Sequence, residues 1–165
     1  MEWLLIAVVS FGFSFGFVLL FGAPYVPTLT KQVETALDLA DLQPGQTLLE
    51  LGCGDGKVLI AAAERGWTAI GYELNPLLAV LAWLRTRRYG KRVKVTCANF
   101  WSVKWPQADA IFVFLLDKYM VKLDTKIAQD YSRATGRPLK LVSFAFAIPD
   151  KKPVKIRDGV FLYKY

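Results

Sequence analysis

The chain has 165 residues, 54% of them hydrophobic, and its 21 basic and 14 acidic side chains leave a formal charge of +7. That length holds one domain of ordinary size and little more. With two cysteines and no histidine, a zinc constellation and a Cys-His or Ser-His dyad are excluded, and Cys53 and Cys97 are expected to be buried thiols.

The apolar excess lies at one end. Trp3 to Gly22 carries no charged residue; as a helix rising about 1.5 Å per residue it reaches the roughly 30 Å of a bilayer core. One transmembrane anchor is therefore expected over residues 1–22, with the lipid bilayer as a partner. A cleaved signal peptide would begin with basic residues and have a shorter apolar core, whereas this chain opens Met-Glu. A core helix that is apolar on every face has no place on so small a domain. The basic residues from Lys31 onward lie after the anchor, so the positive-inside tendency places the domain on the cytoplasmic or matrix side of a single-pass membrane protein.

After the anchor, Pro24 and Pro27 hold Gly22 to Thr28 extended. Helix resumes near Thr30, with Val33, Ala36, Leu37 and Ala40 on one face. Gln43-Pro44-Gly45-Gln46 then turns into a strand at Thr47 to Leu51. Residues 23–46 thus form a segment ahead of a domain at 47–165. Within the domain the spacing predicts a helix from Lys57 to Arg65 with Gly66 as its cap, a strand from Thr68 to Glu73, and a helix opened by Pro76 and running to about Tyr89. Strands follow at Arg92 to Cys97 and Ala110 to Leu116, then a polar helix at Lys118 to Ser132. Gly136-Arg137-Pro138 breaks it before a strand at Leu139 to Ala147, and Asp158-Gly159 joins Val154–Arg157 to Val160–Tyr163 as a two-residue hairpin. Alternating strands and helices closed by a hairpin imply an α/β fold whose mainly parallel sheet ends in an antiparallel pair.

The chemistry is concentrated where the first strand turns into a helix, at Glu50-Leu51-Gly52-Cys53-Gly54-Asp55-Gly56. Gly52, Gly54 and Gly56 let the backbone bend tightly and let a ligand approach its amides. The spacing is Gly-x-Gly-x-Gly, not the Gly-x-Gly-x-x-Gly of a dinucleotide fingerprint, and Glu50 and Asp55 would repel a pyrophosphate. An acidic loop suits a ligand with an amino group and a sulfonium. Glu73, at the end of the second strand, stands where a carboxylate accepts hydrogen bonds from ribose hydroxyls. The pattern resembles class I S-adenosylmethionine methyltransferases, which implies a Rossmann-like fold and S-adenosylmethionine as cofactor. A glycine-rich turn without a ligand is the competing reading.

One family fits more closely. Pro24-Tyr25-Val26-Pro27-Thr28, the glycine motif with Lys57, and Gly71-Tyr72-Glu73-Leu74-Asn75-Pro76 resemble small membrane-anchored, seven-strand lysine methyltransferases. Their eukaryotic members act on the mitochondrial adenine nucleotide translocase and on the membrane-embedded c ring of ATP synthase. The resemblance implies that Glu50, Gly52, Gly54, Asp55 and Gly56 organise the methionine end of the cofactor, that Glu73 holds the ribose, and that Asn99 and Phe100 meet the adenine. It implies Tyr25, Asp117 and Tyr119 as candidates to assist the lysine nucleophile, and Pro24, Tyr25, Pro27 and Thr28 as contacts for a membrane-protein substrate. Where the family usually has a proline after the fourth strand, this chain has Leu116-Asp117-Lys118-Tyr119-Met120. Methylation of a lipid, quinone or other small molecule is an alternative, as is a cofactor-binding module without turnover.

Two basic clusters, Arg85 to Lys94 and Lys151 to Arg157, fit anionic headgroups or a solvated face. Nucleic acid is disfavoured as a partner, because aromatic residues are not regularly interleaved with them.

Overall fold

A computed structural model describes Trp3 and residues 29–132 and 138–165. Helix α1 spans Thr30–Ala40, and Asp41 ends it in a left-handed conformation with φ 45°. Strand β1 (Thr47–Leu51), helix α2 (Lys57–Glu64), strand β2 (Thr68–Glu73), helix α3 (Pro76–Thr86) and strand β3 (Val93–Cys97) follow. Strand β4 (Ala110–Val113) leads through a short turn to helix α4 (Met120–Lys126), then come β5 (Lys140–Phe144), β6 (Lys155–Arg157) and β7 (Val160–Lys164).

The strands form one seven-stranded sheet in the order β3-β2-β1-β4-β5-β7-β6. The pairings from β3 through β5 are parallel, while β7 runs antiparallel to both β5 and β6. Chain order reverses between β1 and β4, and in open α/β sheets ligands bind in the crevice at that switch, beyond the carboxyl ends of the strands.

The two faces of the sheet bury different layers, because successive side chains of a strand point opposite ways. Leu48, Ala69, Phe112 and Val142 pack with Val33, Leu37 and Leu39 of α1 and with Val58, Leu59 and Ala62 of α2. Leu49, Leu51, Ile111, Val113 and Leu141 pack with Met120 and Leu123 of α4 and with Ile127. Helix α1 thus belongs to the core of the sheet domain. It is also clasped to the hairpin: Lys31 Nζ and Thr35 Oγ1 donate to Asp158 at 3.0 and 3.2 Å, and Arg157 donates to Asp38 at 2.8 Å. The Asp158-Gly159 turn has positive φ at both residues, 51° and 74°, as a tight hairpin requires.

Several expectations need correction. No helix among the described residues is long and apolar enough to cross a membrane, and apart from Trp3 the anchor expected over 1–22 falls outside those residues. The transmembrane helix ahead of the fold, the bilayer partner reached through it and the single-pass membrane location are therefore withdrawn; what stands is the class I fold. The helix expected to reach Tyr89 stops at Thr86, whose Oγ1 donates to Ala82 O at 2.7 Å, and Gly90 then leaves helical geometry with φ 55°. The helix expected over Lys118–Ser132 is a 3-10 turn at Asp117–Tyr119, α4, and a wider π turn at Ile127–Ser132. Strand β4 ends at Val113 and β5 at Phe144, both short of the expected bounds, the latter because Ala145 turns left-handed with φ 68°. Cys53 is buried as expected, but Cys97, at the end of an edge strand, is exposed.

Candidate active site

The glycine loop is tied to β2. Gly52 N and Cys53 N both donate to Tyr72 O at 2.9 Å, and Gly54 N donates to Glu73 Oε2 at 2.8 Å. The other carboxylate oxygen, Glu73 Oε1, accepts from Asn75 N at 2.8 Å. Two backbone donors thus hold Glu73 in one orientation, and its oxygens keep lone pairs for further donors. Gly52, Gly54 and Gly56 have φ of 86°, 51° and 80°, a region that favours glycine. Their surroundings differ. A Cβ on Gly56 would lie 3.2 Å from Ala82 Cβ, so this glycine lets α2 and α3 approach, whereas a Cβ on Gly52 would meet no atom within 4 Å. The space over Gly52 is open to a ligand.

Glu50 lies beneath the loop, 4% exposed, and its Oε2 has no hydrogen-bond partner. Burial first, then the charges of Glu73 and Asp55, push its carboxyl well above the usual carboxylate range. A buried acidic oxygen without a donor is costly, and a cationic amine arriving there would relieve it. The open backbone at Gly52, the orphaned oxygen of Glu50 and the fixed carboxylate of Glu73 fit a ligand with an amino-acid end and a ribose. Asp55 is otherwise engaged: its Oδ1 accepts from Lys57 N at 3.3 Å, and its other oxygen is bonded to Arg85 of α3.

Beyond β3, Asn99 is exposed and its Oδ1 accepts from Trp101 N at 3.0 Å. Half-buried Phe100 has its ring 4.7 Å from that of Trp101, which lies 6.2 Å from the Tyr119 ring. Asp117 is exposed and Tyr119 half-buried in the turn after β4, with Lys118 Nζ 4.9 Å over the Tyr119 ring. Pro24, Tyr25, Pro27 and Thr28 fall outside the described residues. A hollow lined by Leu42, Pro44, Arg65 and Trp67 lies at the other end of the sheet, where β1 and β2 begin, and is remote from this site.

A family described as the ANTKMT methyltransferase domain matches residues 50–155. The chain belongs to this family. It carries an S-adenosylmethionine-dependent methyltransferase domain. The chain is 35% identical over 109 residues to the lysine N-methyltransferase of Homo sapiens named for the c-type protein of ATP synthase, covering 65% of this chain and 46% of that protein. It is 30% identical over 152 residues to a protein-lysine N-methyltransferase of Saccharolobus islandicus, covering 85% of this chain and 92% of that one. The chain spans about half the length of the human relative. Among solved structures, an RNA methyltransferase from Salinibacter ruber in complex with S-adenosyl-L-homocysteine superposes with a TM-score of 0.72 at 25% identity, covering 85% of this chain and 92% of that one.

Within the ANTKMT domain the motif and acidic residues read from sequence, Glu50 to Gly56 and Glu73, meet at one place, the carboxyl ends of β1 and β2. Sequence reasoning missed two supports. Asn75 caps α3, its Oδ1 accepting from Leu77 N at 2.9 Å, and an Asn-Pro pair before an apolar run signals such a cap. Arg85 holds Asp55 across 30 residues, a contact with no local signal.

Proposed function

We propose that this protein transfers a methyl group from S-adenosylmethionine to the ε-amine of a lysine in a membrane protein. Support for lysine comes from the named activities of relatives in both Homo sapiens and Saccharolobus islandicus. The membrane-protein acceptor is supported by the relatives named for ATP synthase and for the adenine nucleotide translocase. The observation that carries the reading is the acidic cradle, in which Glu50 Oε2 lacks a partner beside a loop bonded to Glu73.

When bound, the cofactor supplies a methyl carbon already activated by its positive sulfur. The chain chiefly aligns the nucleophile and excludes water. In this proposal Glu50 receives the methionine amine, the amides near Gly52 and Gly54 receive its carboxylate, Gly56 seats the helix, and Glu73 holds the ribose. Asp55, latched to Arg85, fixes the loop's shape. Asn99 and Phe100 border the adenine. Asp117 and Tyr119 stand where β4 ends and serve the acceptor amine, with Tyr25, Pro24, Pro27 and Thr28 as its further contacts. The amine has a reference pKa of about 10.4 and must lose a proton before attack.

Detergent-solubilised membrane proteins incubated with the enzyme and methyl-labelled cofactor test this. Label on lysine, located by mass spectrometry, is expected. Label confined to lipid or RNA would overturn the lysine assignment. In Glu73→Ala, cofactor affinity measured by calorimetry should fall by at least about tenfold, since a hydrogen bond to a charged group contributes roughly 1.5–3 kcal/mol.

A further inference from the structure

The carboxyl ends of β4 and β5 carry an arrangement that cofactor binding does not explain. Phe114 directly follows β4 and Phe144 closes β5. Their rings meet with centroids 4.7 Å apart and planes inclined at 58°. Both side chains are only half-buried, so the pair keeps an accessible surface at this edge. One residue on, Ala145 has φ 68°, a conformation unfavourable to alanine that persists only where its surroundings impose it. Ala145 N donates to Gly159 O at 2.9 Å, and the fully buried Ser143 donates its hydroxyl to Phe146 O at 2.6 Å. These bonds turn the chain aside immediately after Phe144.

The location gives the pair a use. Strand β4 lies beside β1, whose loop is the cofactor's seat, and β5 lies beside β4 in the same direction. Phe114 and Phe144 therefore stand across the switch point from Gly52, on the side left for the acceptor. An acceptor lysine brings a long apolar stem and an ammonium that must become neutral. Apolar rings accommodate the first and disfavour the charged form of the second.

We propose that Phe114 and Phe144 wall the acceptor-lysine channel. The inference rests on the lysine reading above. The ammonium gives its proton to water as the amine enters. The nitrogen lone pair then forms the new C–N bond while the C–S bond breaks and its electrons stay on sulfur, leaving S-adenosylhomocysteine and a methylated ammonium. Positive charge developing on nitrogen meets the faces of the rings, which attract cations.

Phe114→Ala, Phe144→Ala and Phe114→Tyr are to be compared with the unaltered enzyme, using detergent-solubilised membrane proteins as acceptor. For the alanine variants the half-saturating amount of acceptor should rise about tenfold, and the rise of kcat with pH should move to higher pH. Affinity for S-adenosylhomocysteine should stay within twofold, and Phe114→Tyr should restore most of the loss. Should an alanine variant fail to bind S-adenosylhomocysteine, Leu at the same position keeps the apolar bulk without the ring and is read in its place. Unchanged acceptor saturation and pH profile in variants that still methylate lysine would overturn the channel alone. An unaltered enzyme that methylates no lysine would overturn the functional reading and the channel with it.

Discussion

Glu50 shows how a site residue works against the fold that holds it. Its carboxyl is buried with an unpartnered oxygen and titrates well above the usual value of 4.5, with burial as the first cause. An acid whose folded pKa is raised leaves stability intact below the unfolded pKa and removes it as pH climbs through the folded one. Glu50→Gln should therefore stabilise the cofactor-free protein at pH 7 by about 1–2 kcal/mol, and the gain should vanish near pH 4, where both states are protonated. Urea unfolding at the two pH values checks the sign. The same change should weaken cofactor binding, because a cationic amine loses its counter-charge. Which residue sits at position 50 is plain in the sequence. That one of its oxygens has no donor depends on the packing around it, which no local pattern encodes.

At the scale of elements, β2 serves the site through two of its residues. Glu73 grips the glycine loop, and two residues earlier Gly71 leaves room for it: a Cβ there would lie 2.6 Å from Leu59 Cδ1 and 2.7 Å from Cys53 Sγ. Gly71→Ala should thus push α2 and the loop off β2, costing about 1–3 kcal/mol as overpacked cores do. A lowered urea midpoint together with reduced affinity for S-adenosylhomocysteine would show it. The strands, the first three helices and the closing hairpin were legible because their periodicity, caps and turn residues agree with one another. The helix after β4 was not, because its π turn and the 3-10 turn ahead of it answer to the buried layer of Met120, Leu123, Ile127 and Tyr131. The end of β5 was hidden for a similar reason: nothing in Ser-Phe-Ala-Phe announces a left-handed alanine, which is imposed by Gly159 from the hairpin.

For the whole molecule, the cofactor seat, the clasp between α1 and the hairpin, and the two buried layers meet on one sheet. A ligand that binds only the folded state stabilises it by mass action, about 2.7 kcal/mol at a hundredfold excess over Kd. S-adenosylhomocysteine at that excess should raise the melting temperature by about 5–10 °C for a chain of this size, and Glu73→Ala should abolish most of the rise. By itself the amino-acid sequence determined the class of fold and the kind of cofactor, because glycine spacing, an acidic residue one strand later and alternating elements are local facts carried by neighbouring residues. Only tertiary structure decided that Asp55 is held by Arg85 rather than left to the ligand, that Glu50 keeps an unpaired oxygen, and that Phe114 meets Phe144. Those outcomes depend on which distant side chains the sheet brings within a few ångströms, and spacing along the chain does not encode that.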